Sequence, residues 1–222
     1  MQHHGFFYFC ASMKPNQTDT VLLSTAYLGP VEYFYYINKF KNVIIEQHET
    51  WPKQTYRNRT VVVTDKGTIP LTVPVTKVNG NHTKTRDIVV SAHEKWHIKQ
   101  WRAIETAYQN SPYFLFYADE IKEILFSGTG NLLELNTNLT KHICTTIGID
   151  SKLTLSENFI KNPDKSILDL RYKISPKLPS TLMQFPSYIQ VFSDKQPFFP
   201  NAGILDLLFC TGPESKDYLD RL

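Results

Sequence analysis

The chain has 222 residues, of which 41% are hydrophobic, 20% charged and 13% aromatic, with 24 basic against 21 acidic side chains. Its Phe and Tyr content excludes a disordered chain, a net charge of +3 argues against nucleic acid as the main partner, and no apolar run approaches the roughly 18 residues of a membrane helix. Cys10, Cys144 and Cys210 are far apart, odd in number and form no CxxC pair, which excludes a disulfide framework and a cysteine-rich zinc module and fits a reducing cytoplasm.

Gly5 to Ala11 (GFFYFCA) is apolar but short and lacks a basic start, so no signal peptide is expected. The Asn-x-Ser/Thr triplets at Asn16, Asn58, Asn81 and Asn138 then have no secretory route. Met13 reads as the natural start, residues 1–12 as a disordered extension, and 13–222 as a single domain.

Val21 to Thr25 (VLLST) predicts a strand, and Gly29-Pro30 punctuates it. Tyr33, Phe34, Ile37 and Phe40 then recur at helical spacing within Val31 to Phe40. Val43 to Ile45 opens a second strand, and the strand–helix–strand rhythm predicts parallel pairing. Thr60 to Val75 reads as a hairpin turning at Asp65-Lys66-Gly67, with Pro70 and Pro74 confining its second run to an edge. Asp87 to Ser91 predicts another strand. Helices follow over His93 to Asn110, Pro112 to Phe126 and Asn131 to Ile147, the last closed by Gly148. The proline-rich stretch 150–200 predicts mostly loop, with short strands at Leu153 to Leu155 and Tyr188 to Phe192. A last helix, Asn201 to Cys210, is stopped by Gly212-Pro213. The result is an α/β fold: a short, mostly parallel sheet with a β-hairpin insertion and a helical lobe in the second half.

Four patterns bear on chemistry. His93-Glu94-Lys95-Trp96-His97 matches H-E-x-x-H, which on a helix places two histidines on one face for zinc, with Glu94 as base. Lys95 and the position at a helix start count against it, so no metal site is expected. In Lys53 to Arg59 (KQTYRNR), an extended chain would put Lys53, Arg57 and Arg59 on one face, fit to grip a phosphate or carboxylate; a solvated edge strand is the plainer alternative. Tyr27-Leu28-Gly29-Pro30 follows the first strand, where open α/β sheets bind ligands, although the motif also suits an ordinary turn. Trp96, Trp101, Tyr108, Tyr113, Phe114 and Tyr117 suit a core, or alternatively a sugar platform. No G-x-S-x-G elbow or nucleotide-binding glycine motif occurs.

Five segments taken in order carry a resemblance: YLGPVEYF (27–34), EQHETWPKQTYRNR (46–59), LTVPV (71–75), WRAIETAYQNSPYF (101–114) and ILDLLFCTG (204–212). Together they resemble the WbqC-like family of bacterial proteins, associated with O-antigen and other surface-polysaccharide gene clusters. The resemblance implies a transferase placing a small acyl or aminoacyl group, such as glycine, on a sugar. A non-catalytic binding or scaffold protein of polysaccharide assembly is the alternative, and a zinc hydrolase the third reading. The implied partner is a nucleotide-linked or phosphorylated sugar, in the cytoplasm, with no cofactor. The resemblance raises Tyr27, Arg57 and Asn58 as substrate-binding candidates beside Lys53 and Arg59. His97 is the candidate general base, since its ordinary pKa lies near neutrality. The residue before Trp101 is often His in the family and is Gln100 here.

Overall fold

The structure is a computed structural model and describes residues 18–91 and 95–222. The expected N-terminal extension therefore lies outside the described residues. In chain order the elements are β1 (Thr20–Ser24), α1 (Val31–Lys39) and β2 (Asn42–Glu46), then β3 (Arg59–Thr64), β4 (Gly67–Thr72), β5 (Val75–Lys77) and β6 (Ile88–Val90). Helices α2 (Trp96–Tyr108), α3 (Phe114–Phe126) and α4 (Leu132–Ile147) follow. The chain closes with β7 (Lys152–Leu155), β8 (Ile167–Asp169), α5 (Ile204–Thr211) and α6 (Ser215–Asp220).

The main sheet has the order β7-β2-β1-β8, and each of its neighbouring pairs is parallel. Val21, Leu22 and Leu23 of β1 are at most 1% exposed, which is why this strand is an unbroken apolar run rather than an alternating one. Helix α1 covers the sheet with Tyr33, Phe34 and Ile37 turned inward. The hairpin β3–β4 pairs Thr64 with Gly67 across Asp65-Lys66, and Gly67 takes a φ of 109° that a side chain rarely adopts. β5 and β6 form a separate antiparallel pair.

Helix α4 shows both of its end signals in the sequence. The Asn131 side chain accepts from Glu134 N–H at 3.0 Å, and Gly148 closes the helix at φ 82° while Ile149 N–H reaches Cys144 O. Helix α5 (ILDLLFCT) is buried from Ile204 to Phe209. Gly203 lets its start approach the hairpin: a Cβ there would lie 2.5 Å from Thr60 Oγ1 and 2.6 Å from Val61 O. These helices and the sheet share one apolar core. No described helix is long and apolar enough to cross a membrane.

Three expectations need correction. Residues 167–169, read as loop, form β8, a strand too short for periodicity to show. Tyr188 to Phe192 is not a strand. Its carbonyls are met in local turns instead: Ser193 N–H donates to Gln190 O, and Lys195 and Gln196 N–H donate to Phe192 O, while the Gln190 side chain ties the segment to the Phe199 backbone. Helix α5 does stop before Gly212-Pro213, but it is not the last helix, because the chain turns there into α6.

Candidate functional site

In a parallel sheet the carboxyl ends of the strands lie at one edge, and the loops leaving them face each other. Here those ends are Ser24, Glu46, Leu155 and Asp169. The residues there and just beyond build a buried polar cluster. Glu46 is fully enclosed. Its Oε1 accepts from His48 N–H and Ser156 Oγ, and its Oε2 from Ile160 N–H and Arg171 Nη1. Arg171 also grips Asp169 with two parallel bonds, Nε to Oδ1 at 2.9 Å and Nη2 to Oδ2 at 2.7 Å. Burial by itself opposes the charge on Asp169, but these bonds and the guanidinium outweigh it and hold the carboxyl below its ordinary value.

Arg57 enters from the long connection between β2 and β3. Its Nε donates to Glu49 Oε1 at 2.8 Å, and Nη2 meets the same oxygen and Ser24 Oγ. Asn136 of α4 fixes the backbone beneath it, donating from Nδ2 to Arg57 O at 2.7 Å and to Thr25 Oγ1 at 3.1 Å. Tyr172 lies over both guanidiniums, and Phe159 over that of Arg171, with centroid distances of 5.7–6.0 Å. Burial first, and then the charge of Glu49, pushes the Tyr172 phenol up, so it is a neutral hydroxyl.

Counted by formal charge, the three carboxylates Glu46, Glu49 and Asp169 face the two guanidiniums of Arg57 and Arg171. The cluster has no surplus cation. Two of its acceptors, Glu49 Oε2 and Asn136 Oδ1, are buried without a hydrogen-bond partner among the described residues. Beside it lies a cleft of about 150 Å³ with Thr25, Tyr33, Thr137, Thr140, Lys141 and Thr154 in its wall. A further niche of about 10 Å³, room for one water, shares Thr25 and Tyr33 with that cleft and touches Arg57 and Arg171. The described cysteines are free, and burial pushes the Cys144 thiol up to about 12, so neither supplies a ready nucleophile.

The candidates named from sequence scatter around this cluster. Arg57 is in it, 3% exposed. Lys53 is exposed, because the chain turns at Gln54 (φ 58°) and the two-residue periodicity of an extended strand does not hold. Arg59 stands on the hairpin, donating to Thr72 Oγ1, and Asn58 secures Val73 O. The three cations therefore do not share a face. Tyr27 is buried, its hydroxyl bound to Gln100 Oε1 and its ring edge-on to Trp96. His97 packs edge-on to Phe126 in a separate cavity of about 210 Å³, which Trp96 also lines but Tyr27, Lys53, Arg57, Asn58 and Arg59 do not. His93 and Glu94 of the H-E-x-x-H string lie outside the described residues. Among the described residues no three His, Cys, Asp or Glu side chains converge as a metal site. Of the aromatic set, Trp96, Trp101, Tyr108 and Phe114 are buried core.

Sequence reasoning missed Ser24, Glu46, Glu49, Asn136, Arg171 and Tyr172. An acidic residue directly after an apolar run, as Glu46 after Val43-Ile44-Ile45, was a usable signal, since its charge must meet a partner at the strand end. Arg171 had none, because the strand that delivers it went unread.

This is an α/β protein with a cleft beside a buried polar cluster at the carboxyl ends of a parallel sheet, an arrangement suited to small molecules. The chain belongs to the WbqC-like protein family, which it matches over residues 25–181, a span that holds every cluster residue except Ser24. It is also similar to the uncharacterized protein Rv1507c of Mycobacterium tuberculosis (strain ATCC 25618 / H37Rv), at 28% identity over 211 residues, covering 84% of this chain and 91% of that protein. No solved structure matches it.

Proposed function

We propose that the protein is a cytoplasmic transferase of surface-polysaccharide biosynthesis. It places a small acyl or aminoacyl group on a phosphorylated or nucleotide-linked sugar held in the Thr25 cleft. The observation that carries this reading is the cleft's lining. The hydroxyls of Thr137 and Thr154 donate to Leu133 O and Val43 O and keep lone pairs to accept from a polyol, and those of Thr25 and Thr140 can also donate. Ile45, Leu153 and Leu155 suit the C–H faces of a sugar ring, and Lys141 is an exposed cation for the phosphate. Arg57, already neutralised by Glu49, is assigned to holding the cluster rather than the phosphate. A general-base role is not carried to His97, which faces another cavity.

That no described histidine lines the cleft favours a second reading, a sugar-binding protein without chemistry. Calorimetry with a panel of nucleotide sugars tests both. One member should bind, and Lys141→Ala should weaken it by about tenfold, or about 1.4 kcal/mol. No binding across the panel, or unchanged affinity in a folded Lys141→Ala protein, would sink the cleft assignment. Transfer of a labelled acyl group to the bound sugar separates the transferase from the binder.

A further inference from the structure

Two exposed aromatic rings sit over the buried arginines at the carboxyl ends of the sheet. Tyr172 is 55% exposed and Phe159 49%. The guanidinium of Arg171 lies 5.7 Å from the centre of each ring, and that of Arg57 lies 6.0 Å from the centre of Tyr172. Both arginines are buried, so they back the protein side of the rings, and the rest of each ring meets solvent. The backbone beside each ring is pinned. Ile160 N–H donates to Glu46 Oε2 at 3.0 Å, and Ile160 O accepts from Arg171 Nη1 at 2.7 Å. Leu170 N–H donates to Leu22 O, and Lys173 N–H closes a turn on Leu170 O. An exposed ring anchored in this way loses little freedom when a ligand lands on it, which is what a preorganised contact surface requires.

The cations behind the rings decide what stacks on them. An aromatic face is ordinarily negative and suits the C–H bonds of a sugar. A guanidinium on the inner side draws π density inward and leaves the outer face poorer, so an electron-rich planar ring gains more there than a sugar does. A nucleobase is such a ring, and aromatic side chains receive it face to face. The position agrees. Arg57 and Arg171 line the small niche that shares Thr25 and Tyr33 with the Thr25 cleft, and Leu155, which ends the strand before Phe159, lines that cleft. From this geometry we infer that Tyr172, with Phe159 over the same guanidinium, is a stacking platform for the base of a nucleotide, whose phosphate and sugar run toward the Thr25 cleft. The course of the sugar rests on the function proposed above; the stacking of the base does not.

Solution NMR of the isotope-labelled full chain tests it, with AMP, GMP, CMP and UMP as probes and ribose-5-phosphate as the sugar phosphate without a base. At least one nucleotide should move the Tyr172 ring signals upfield and saturably, through the ring current of a stacked base, and ribose-5-phosphate should leave them in place. Tyr172→Leu should weaken that nucleotide by about tenfold, and Tyr172→Phe, which keeps the ring, should bind it as the unaltered chain does. No saturable Tyr172 shift with any of the four nucleotides, or an equal shift with ribose-5-phosphate, would overturn the platform without any variant. Full affinity in a folded Tyr172→Leu protein would also overturn it. Lys141→Ala reports on the cleft separately: unchanged nucleotide affinity there, with the Tyr172 shift retained, would remove the cleft reading and support the platform alone.

Discussion

Two regions of this molecule bury carboxylates, and they satisfy them by opposite means. At the carboxyl ends of the sheet, Glu46 and Asp169 share Arg171. Against the proline-rich stretch before α5, the buried acids Glu32 of α1 and Asp206 of α5 make no ion pair among the described residues and have only neutral donors. Glu32 accepts from Thr181 N–H and Oγ1 and from Asn201 Nδ2. Asp206 accepts from the Tyr188 hydroxyl and Gln190 Nε2, both at 2.6 Å, with Oδ1 left bare. The difference separates two jobs. A carboxylate tied to neutral side chains fastens a loop that has no strand partner, as Tyr218 also does through Pro186 O. A carboxylate tied to guanidiniums fixes charged groups beside a cleft, where a ligand can meet them. The protonation chemistry diverges accordingly: Arg171 helps to hold Asp169 below its ordinary value, whereas burial pushes Asp206 above its own.

The contrast breaks most sharply at Arg171. Arg171→Ala strands Glu46 and bares Asp169, and it should cost about 3–5 kcal/mol, as removal of one partner from a buried pair does. Urea unfolding measures it, and a loss below about 1 kcal/mol would mean that Arg171 is more hydrated than its 4% exposure implies.

A smaller effect lies in the pH dependence, where the two regions should have opposite signs. The folded state holds the Asp206 proton beyond about pH 3.9, the ordinary carboxyl value, at which the unfolded chain releases it. The stability this confers is present at low pH and is lost as pH rises through the raised value. For Asp169 it is present above about pH 3.9 and is lost as pH falls through the lowered value. Urea midpoints against pH should therefore lose a downward slope in Asp206→Asn and an upward one in Asp169→Asn. The same sign in both variants would contradict the distinction.

The smallest expected change is at Lys53, exposed and outside both regions. Lys53→Ala should shift stability by no more than about 0.5 kcal/mol and leave binding of the nucleotide sugar unchanged. A clear loss of affinity would restore the three-cation face that the turn at Gln54 removes.

What the sequence determined by itself was local. The apolar run of β1, the 3.6-residue spacing of α1, the Asp65-Lys66-Gly67 turn, and the Asn131 and Gly148 signals of α4 each reside in a few neighbouring residues, and each element stands where those residues put it. Within the site, Arg57 was legible as a polar anchor because its segment is dense in charge and belongs to the family pattern. The tertiary structure alone decided which groups meet. Ser24 and Arg171 are separated by 147 residues, yet the Ser24 hydroxyl donates to Arg171 O. Asn136 reaches Arg57 O across a separation of 79. Such meetings depend on the sheet order β7-β2-β1-β8, in which strands from the two ends of the chain become neighbours. Periodicity reports which face of an element is buried but not which distant element covers it. Arg57 was therefore readable as a charge seeking a partner, while the partner that neutralises it, Glu49, came from the fold.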